Sequence, residues 1–145
     1  MPLDGDYEPS PWDWVSTQVE QFERTGGREG GLLEGKPVVI LTTRGRKTGR
    51  LRKSALMRVE HDGRYAVVAS MGGAPKHPVW YLNLVADPKV TLQDGDQVFT
   101  MRARTATPEE RRDWWPVATA AWPPYDGYQT KTDREIPLVL FDPVR

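Results

Sequence analysis

The sequence predicts an α+β fold, mainly β with flanking helices, built on an antiparallel sheet that closes into a barrel. Three observations predict it. Asp62-Gly63 and Asp94-Gly95 each stand between strand-like runs, and Asp-Gly suits the tight turn of a β-hairpin. Six segments read as strands, and sheets of that size tend to close. Thr107-Pro108-Glu109-Glu110 is a capping box with Pro at the first helical position, so at least one helix flanks the sheet.

The elements follow in order. Ser10 as N-cap, Pro11 at the first helical position and Asp13 at the positive end predict a helix start. Trp12, Val15, Val19 and Phe22 recur at helical spacing, and Gly26-Gly27 ends the pattern. This amphipathic helix is expected to pack on the body of the domain. Contact with a membrane surface is the sharper alternative. Residues 1–31 thus read as a helix and Gly-rich linker, and 32–145 as the barrel domain.

Val38–Thr43 reads as a buried strand. Leu51–Glu60 places Leu51, Ala55, Met57 and Val59 on one face of a second strand, and Tyr65–Ser70 returns after the first hairpin turn. Val90–Gln93 and Gln97–Thr105 flank the other turn, with Phe99, Met101 and Ala103 alternating against polar residues. Ile136–Phe141 is the last strand, expected at an edge or beginning at Pro137. Between strands, Pro78–Ala86 is a short helix stopped by Asp87-Pro88. The helix opened at Thr107 carries Trp114, Trp115, Ala118 and Trp122, with a kink expected at Pro116.

Composition removes several chemistries. The 145 residues contain no Cys, which excludes disulfides, thiolate metal sites and cysteine nucleophiles. The two histidines, His61 and His77, lack helical ligand spacing, so no metal site is expected. No apolar run approaches the ~18 residues of a spanning helix, and the N-terminus lacks the basic and apolar regions of a signal peptide. A cytoplasmic protein is expected.

Charge is concentrated at one turn. Six of the ten residues Arg44–Lys53 are basic and none is acidic, although the chain carries 20 basic and 20 acidic residues in all. Gly45 and Gly49 let the backbone approach a partner there. Arg and Lys beside such a backbone suit a phosphate or carboxylate. A solvated loop is the plainer reading of the same run. It is not a P-loop, because Arg46 occupies the place of the Gly before Lys-Thr.

Two further segments qualify. Ser70–Pro78 leaves a strand through Gly72-Gly73, carries Lys76 and His77, and enters a helix whose N-terminus favours anions. Trp122–Tyr128 puts Trp122, Tyr125 and Tyr128 on a Pro- and Gly-punctuated loop, where some should face a flat ligand or form a lid. No nucleophile–base pair and no Gly-x-Ser-x-Gly elbow is present. Anion sites and an aromatic pocket without a catalytic pair suggest that a cofactor carries the chemistry.

Leu41–Gly49, Ser70 with Gly72-Gly73-Ala74, Lys76, Pro78, Trp80–Leu84, Asp87-Pro88, Tyr125, Tyr128-Gln129 and Thr132–Pro137 then match a family in order and spacing. The chain resembles the deazaflavin-dependent nitroreductases of actinobacteria, which use coenzyme F420, from about Leu32 to the C-terminus. The resemblance implies a split β-barrel related to the flavin mononucleotide-binding oxidoreductases. It implies hydride transfer from reduced F420 to a small-molecule acceptor such as a quinone, a nitroaromatic or a conjugated lactone. Arg46, Lys47 and Thr48 would hold the phosphate or acidic tail of the deazaflavin. Ala55, Leu56 and Met57 would line its ring, and Ser70, Met71, Gly72 and Gly73 would bracket ring and phosphate. Lys76 and Asn83 are further cofactor-side candidates. Trp122, Tyr125 and Tyr128 would shape the acceptor pocket, and the proton that reduction requires would come from Ser70, Tyr128 or solvent. Met71, Met57 and Trp122 depart from residues common at those places. A non-catalytic deazaflavin or flavin carrier is the first alternative. The second is a small nucleic-acid-binding barrel, although no nucleic-acid partner is expected from a near-neutral chain.

Overall fold

The computed structural model describes residues 3–144, which form eight strands and four helices. Helix α1 (Asp13–Thr25) precedes strands β1 (Leu32–Leu33), β2 (Lys36–Arg44), β3 (Leu51–Met57), β4 (Val59–His61) and β5 (Arg64–Val68). A 3₁₀ turn at Met71–Gly73 leads to α2 (Val79–Ala86), then β6 (Lys89–Asp94) and β7 (Gln97–Thr105). Helices α3 (Pro108–Ala121) and α4 (Tyr125–Thr130) precede β8 (Leu138–Pro143).

All strand pairings are antiparallel, in the order β1-β2-β6-β7-β8-β5-β4, with β3 on β2. The two ends of this arrangement, β3 and β4, are neighbours in the chain, separated by Arg58 alone. The sheet therefore curls until its ends meet in one bent strand. That bend corrects the single strand expected over Leu51–Glu60. At the seam, the Arg58 N–H donates to the Pro37 carbonyl. The Arg58 side chain pairs with Asp94, which also accepts a 2.6 Å bond from the Tyr65 hydroxyl. Burial, with Asp94 second, pushes the Tyr65 phenol up to about 12.

The apolar run at residues 38–41 reflects burial on both faces, as in a central strand. Val39 and Leu41 face the barrel interior with Val67, Leu92, Met101 and Phe141. Val38 and Ile40 face Val19 and Phe22 of α1. Strand β8 is built alike: Val139 and Phe141 point inward, and Leu138 and Leu140 pack under Trp114 and Ala118 of α3. It lies between β5 and β7 rather than at an edge, and it begins just after Pro137.

Three other expectations need correction. Helix α1 starts at Asp13, because the Ser10 hydroxyl accepts from the Trp12 N–H and holds a turn outside the helix. Trp12 and Trp14 stay 65% and 58% exposed, so the buried stripe is Val19 and Phe22. The second hairpin turns at Gly95-Asp96, one residue later than expected, since Asp94 pairs with Gln97. Segment Trp122–Tyr128 is not a loop throughout, because Tyr125–Thr130 forms α4.

The capping box forms as expected: Thr107 Oγ1 accepts from the Glu110 N–H, and Glu110 accepts from the Thr107 N–H. Arg104 of β7 grips both Glu110 oxygens at 2.6 and 2.9 Å, and its Nε reaches Asp142 of β8 at 2.7 Å. Chiefly through Arg104, Glu110 is held down to about 2 from 4.5. A depressed carboxylate stabilises the fold above its unfolded value and loses that contribution as pH falls through its folded one. Thermal melts from pH 5 to 2 should therefore show a falling midpoint that is shallower in Glu110→Gln. Parallel curves would refute the assignment.

Candidate active site

Two clefts lie side by side on the barrel, both bordered by β3 and the start of α2. The first, of about 360 Å³, is lined by Glu8, Gly45, Arg46, Lys47, Thr48, Arg52, Val79 and Asn83. The second, of about 230 Å³, gathers Ala55, Leu56, Met57, Ser70, Met71, Gly72, Trp80, Tyr125 and Tyr128, with Leu33, Val68 and Pro78. Pro78, Val79 and Trp80 are consecutive, so the start of α2 joins the two. Along β3, Arg52 to Met57 covers roughly 17 Å at strand rise.

The basic turn is not uniformly available to a ligand. Arg44 pairs with Asp87, Arg50 and Arg52 with Glu8, and Lys53 with Glu23. Arg46 and Lys47 are exposed and have no carboxylate partner among the described residues. The fold thus pairs four of the six cations with three carboxylates and leaves two at the cleft without one. Asn83, 2% exposed, sets their place: its Oδ1 accepts from the Arg46 N–H at 3.1 Å, and its Nδ2 donates to Thr43 Oγ1. It supports the turn and also lines the cleft.

The second cleft is mostly apolar and carries two hydroxyls that matter. Ser70 lines it, and its hydroxyl has no hydrogen-bond partner among the described residues. The Tyr128 oxygen accepts from Trp122 Nε1 at 3.3 Å, which leaves the phenolic proton free for the cleft. Trp122 therefore stands behind Tyr128 and does not line the cleft itself. Tyr125 is 5% exposed and meets Tyr128 edge-on, and burial first, then Tyr128, pushes its phenol up. Met71, at φ 45°, leads into Gly72 and Gly73 at φ 66° and 84°. A Cβ on Gly73 would stand 2.7 Å from the Tyr128 carbonyl oxygen, so only glycine lets α4 close on this turn. Lys76 is exposed and lines neither cleft.

Sequence reasoning missed the group that holds this loop. Arg134 donates to the carbonyls of Ala74, Ala69 and Ser70 at 2.8, 3.1 and 2.7 Å and contacts His77 Nδ1 at 3.2 Å. These partners lie 57 to 65 residues back, a reach that no local pattern reports. Burial, then the Arg134 charge, lowers the His77 pKa. Glu8 was also missed as a cleft residue, and Arg52 was not singled out from the basic run. Period-two alternation along β3 could have found Arg52, which shares its face with Leu56.

Comparison with known proteins decides the family. A family model described as F420H(2)-dependent quinone reductase matches residues 14–143. The chain belongs to the F420H(2)-dependent quinone reductase family. It is 35% identical over 123 residues to the F420H(2)-dependent quinone reductase Rv1261c of Mycobacterium tuberculosis, covering 82% of this chain and 83% of that one. A solved F420-H2 dependent reductase, FDR-A, is 53% identical, with a TM-score of 0.69 over 73% of this chain and 94% of the other. A solved domain-swapped dimer is 49% identical, with a TM-score of 0.72 over 92% and 100%. The split-barrel fold, the oxidoreductase activity and the cofactor expected from the sequence are those of this family.

The residues present fit that cofactor. Unpaired cations stand at one end for an anionic tail, and an apolar, aromatic cleft lies at the other for a flat ring. Replacing Arg134 with Met should cost at least about 2 kcal/mol in urea unfolding, since buried carbonyls lose a charged donor. It should also speed amide exchange across residues 70–74. A variant with the wild-type midpoint and exchange rates would remove Arg134 from this role.

Proposed function

We propose that reduced F420 lies along β3, its charged tail on Arg46 and Lys47 and its ring against Ala55, Leu56 and Met57. The observation that supports this reading is the pair of uncompensated cations beside an apolar cleft, in a turn whose other cations are paired. Thr48 and Arg52 complete the cationic end, and Ser70, Met71 and Gly72 form the rim of the ring end. When bound, reduced F420 supplies a hydride. The acceptor is a flat, electron-poor molecule, with a quinone as the first choice and nitroaromatics or conjugated lactones as further ones.

The chain contributes position, exclusion of water and a proton. Tyr125, Tyr128 and Trp80 wall the acceptor space. Tyr128 donates the proton that a reduced quinone oxygen requires, because Trp122 already satisfies its oxygen as an acceptor. Ser70 is the second donor at hand. Asn83 holds the basic turn from the wall of the cationic cleft, and Arg134, which lines neither cleft, holds the Ser70–Ala74 loop in place.

The start of α1 adds a membrane-surface contact to the proposal. No helix among the described residues is long and apolar enough to cross a membrane. Trp12 and Trp14 are nevertheless exposed and stack edge-on at 6.3 Å, a pair suited to the interfacial zone of a bilayer.

Oxidised F420 should quench saturably, and the double variant Arg46→Ala, Lys47→Ala should weaken binding at least tenfold, given roughly 1.5–3 kcal/mol per charged hydrogen bond. Reduced F420 with menadione should be consumed faster than without protein. Tyr128→Phe should keep F420 affinity and lose roughly tenfold to a hundredfold in turnover. Unchanged affinity in the double variant, or turnover equal to the protein-free rate, would sink the reading. For the membrane contact, vesicles should co-sediment the wild-type chain and fail to retain Trp12→Ser, Trp14→Ser; equal sedimentation of both would refute it.

A further inference from the structure

The described N-terminal residues run beside the basic turn instead of away from it. The Leu51 N–H donates to the Asp6 carbonyl at 2.7 Å, and the Glu8 N–H donates to the Leu51 carbonyl at 2.9 Å. Tyr7 bridges Leu51 in parallel, Arg44 donates to the Asp4 carbonyl, and the Leu3 N–H donates to Thr91 Oγ1. This strap fixes Glu8 in the cleft that holds Arg46 and Lys47. Glu8 is the only carboxylate among the residues lining it. Its Oε2 stands 2.7 Å from Arg52 Nη1, and its Oε1 stands 3.8 Å from Arg50 Nη1.

An acidic side chain inside an anion cleft opposes the ligand in two ways. It occupies Arg52, which could otherwise bind the tail, and it repels each negative charge brought near. Both partners remain about a third exposed, at 36% for the Glu8 side chain and 32% for Arg52. The pair can therefore open without unfolding the strap, whose backbone bonds do not involve the carboxylate.

We propose that Glu8 is an affinity-limiting residue, an intramolecular competitor for Arg52 that keeps the charged tail of the redox partner exchangeable. The inference rests on the placement of F420 proposed above. A hydride donor that is spent at every turnover must leave its site each time, and release often limits turnover. In the empty cleft Glu8 holds Arg52. When the tail arrives, the carboxylate swings to solvent and Arg52 turns to the ligand. On release Glu8 returns, so Arg52 is never left without an anion.

The test uses the full chain, oxidised F420, and the tail-less deazaflavin chromophore as a probe of the ring end. Glu8→Gln keeps the shape and the backbone bonds and removes only the charge. It should bind F420 on the order of tenfold tighter than wild type, with slower dissociation in stopped-flow. The gain should shrink as salt rises, and the tail-less chromophore should bind both proteins equally. If wild type binds F420 and Glu8→Gln binds it no better, the competitor role is wrong while the cofactor reading stands. If both ligands tighten alike, Glu8 acts through the fold and not through charge, and the proposal falls. If wild type binds no F420 at all, the cofactor reading fails and takes this inference with it.

Discussion

Strand β2 bears most of the structural constraint in this protein. Its residues alternate between the barrel interior and helix α1, so both faces are dry, and hydrogen bonds run to β3 on one side and β6 on the other. A strand enclosed in this way cannot slip by one residue without exposing one apolar set and burying the wrong one. Its register with β3 is thereby set from Val38–Met57 to Arg44–Leu51. The turn between the two strands must emerge at one place, and it carries the basic run there. The same pairing sets Ala55–Met57 beside the second cleft. One packing constraint thus positions the cationic and the apolar ends of the site together.

The charge pattern shows how a neutral chain makes a cationic site. Arg44, Arg50, Arg52 and Lys53 each have an acidic partner, two of them the shared Glu8, and these partners come from distant segments. Such half-exposed pairs contribute little stability, about 0–1 kcal/mol each. Their larger consequence is selective: they leave Arg46 and Lys47 as the cations that face the cleft uncompensated. Asn83 then turns a flexible Gly-rich bend into a defined one by holding the Arg46 amide. Around the other cleft, the Arg134 fork and the close approach of α4 at Gly73 do the same for the Ser70–Ala74 loop.

Much of this was legible in the residues. Both hairpins, the second with its turn one residue later than expected, the buried run at 38–41, the alternation in β7 and the capping box at Thr107 are local signals, and the structure contains each of them. The errors have physical causes. The bend at Arg58 arises because the sheet must close, which no period-two pattern reports. Pro137 suggested an edge place or a strand start there; β8 is paired on both sides, by β5 and β7, and the proline stands just before its first residue. Trp12 matches the helical period yet lies beyond the first turn, where the body of the domain no longer reaches. At the site, the structure brings Arg46 and Lys47 to one cleft and Ser70 and Tyr128 to the other. The supporting groups, Asn83 to the turn and Arg134 to the loop, could not be assigned, since their partners lie tens of residues away.

The central claim is that one molecule spans both clefts along β3. Amide chemical shifts recorded while oxidised F420 is added test it most directly. Residues 46–48 and residues 55–57 with 70–72 should move together along one titration curve with a single midpoint. Shifts confined to one of the two groups, or two curves with different midpoints, would contradict a single ligand lying across both.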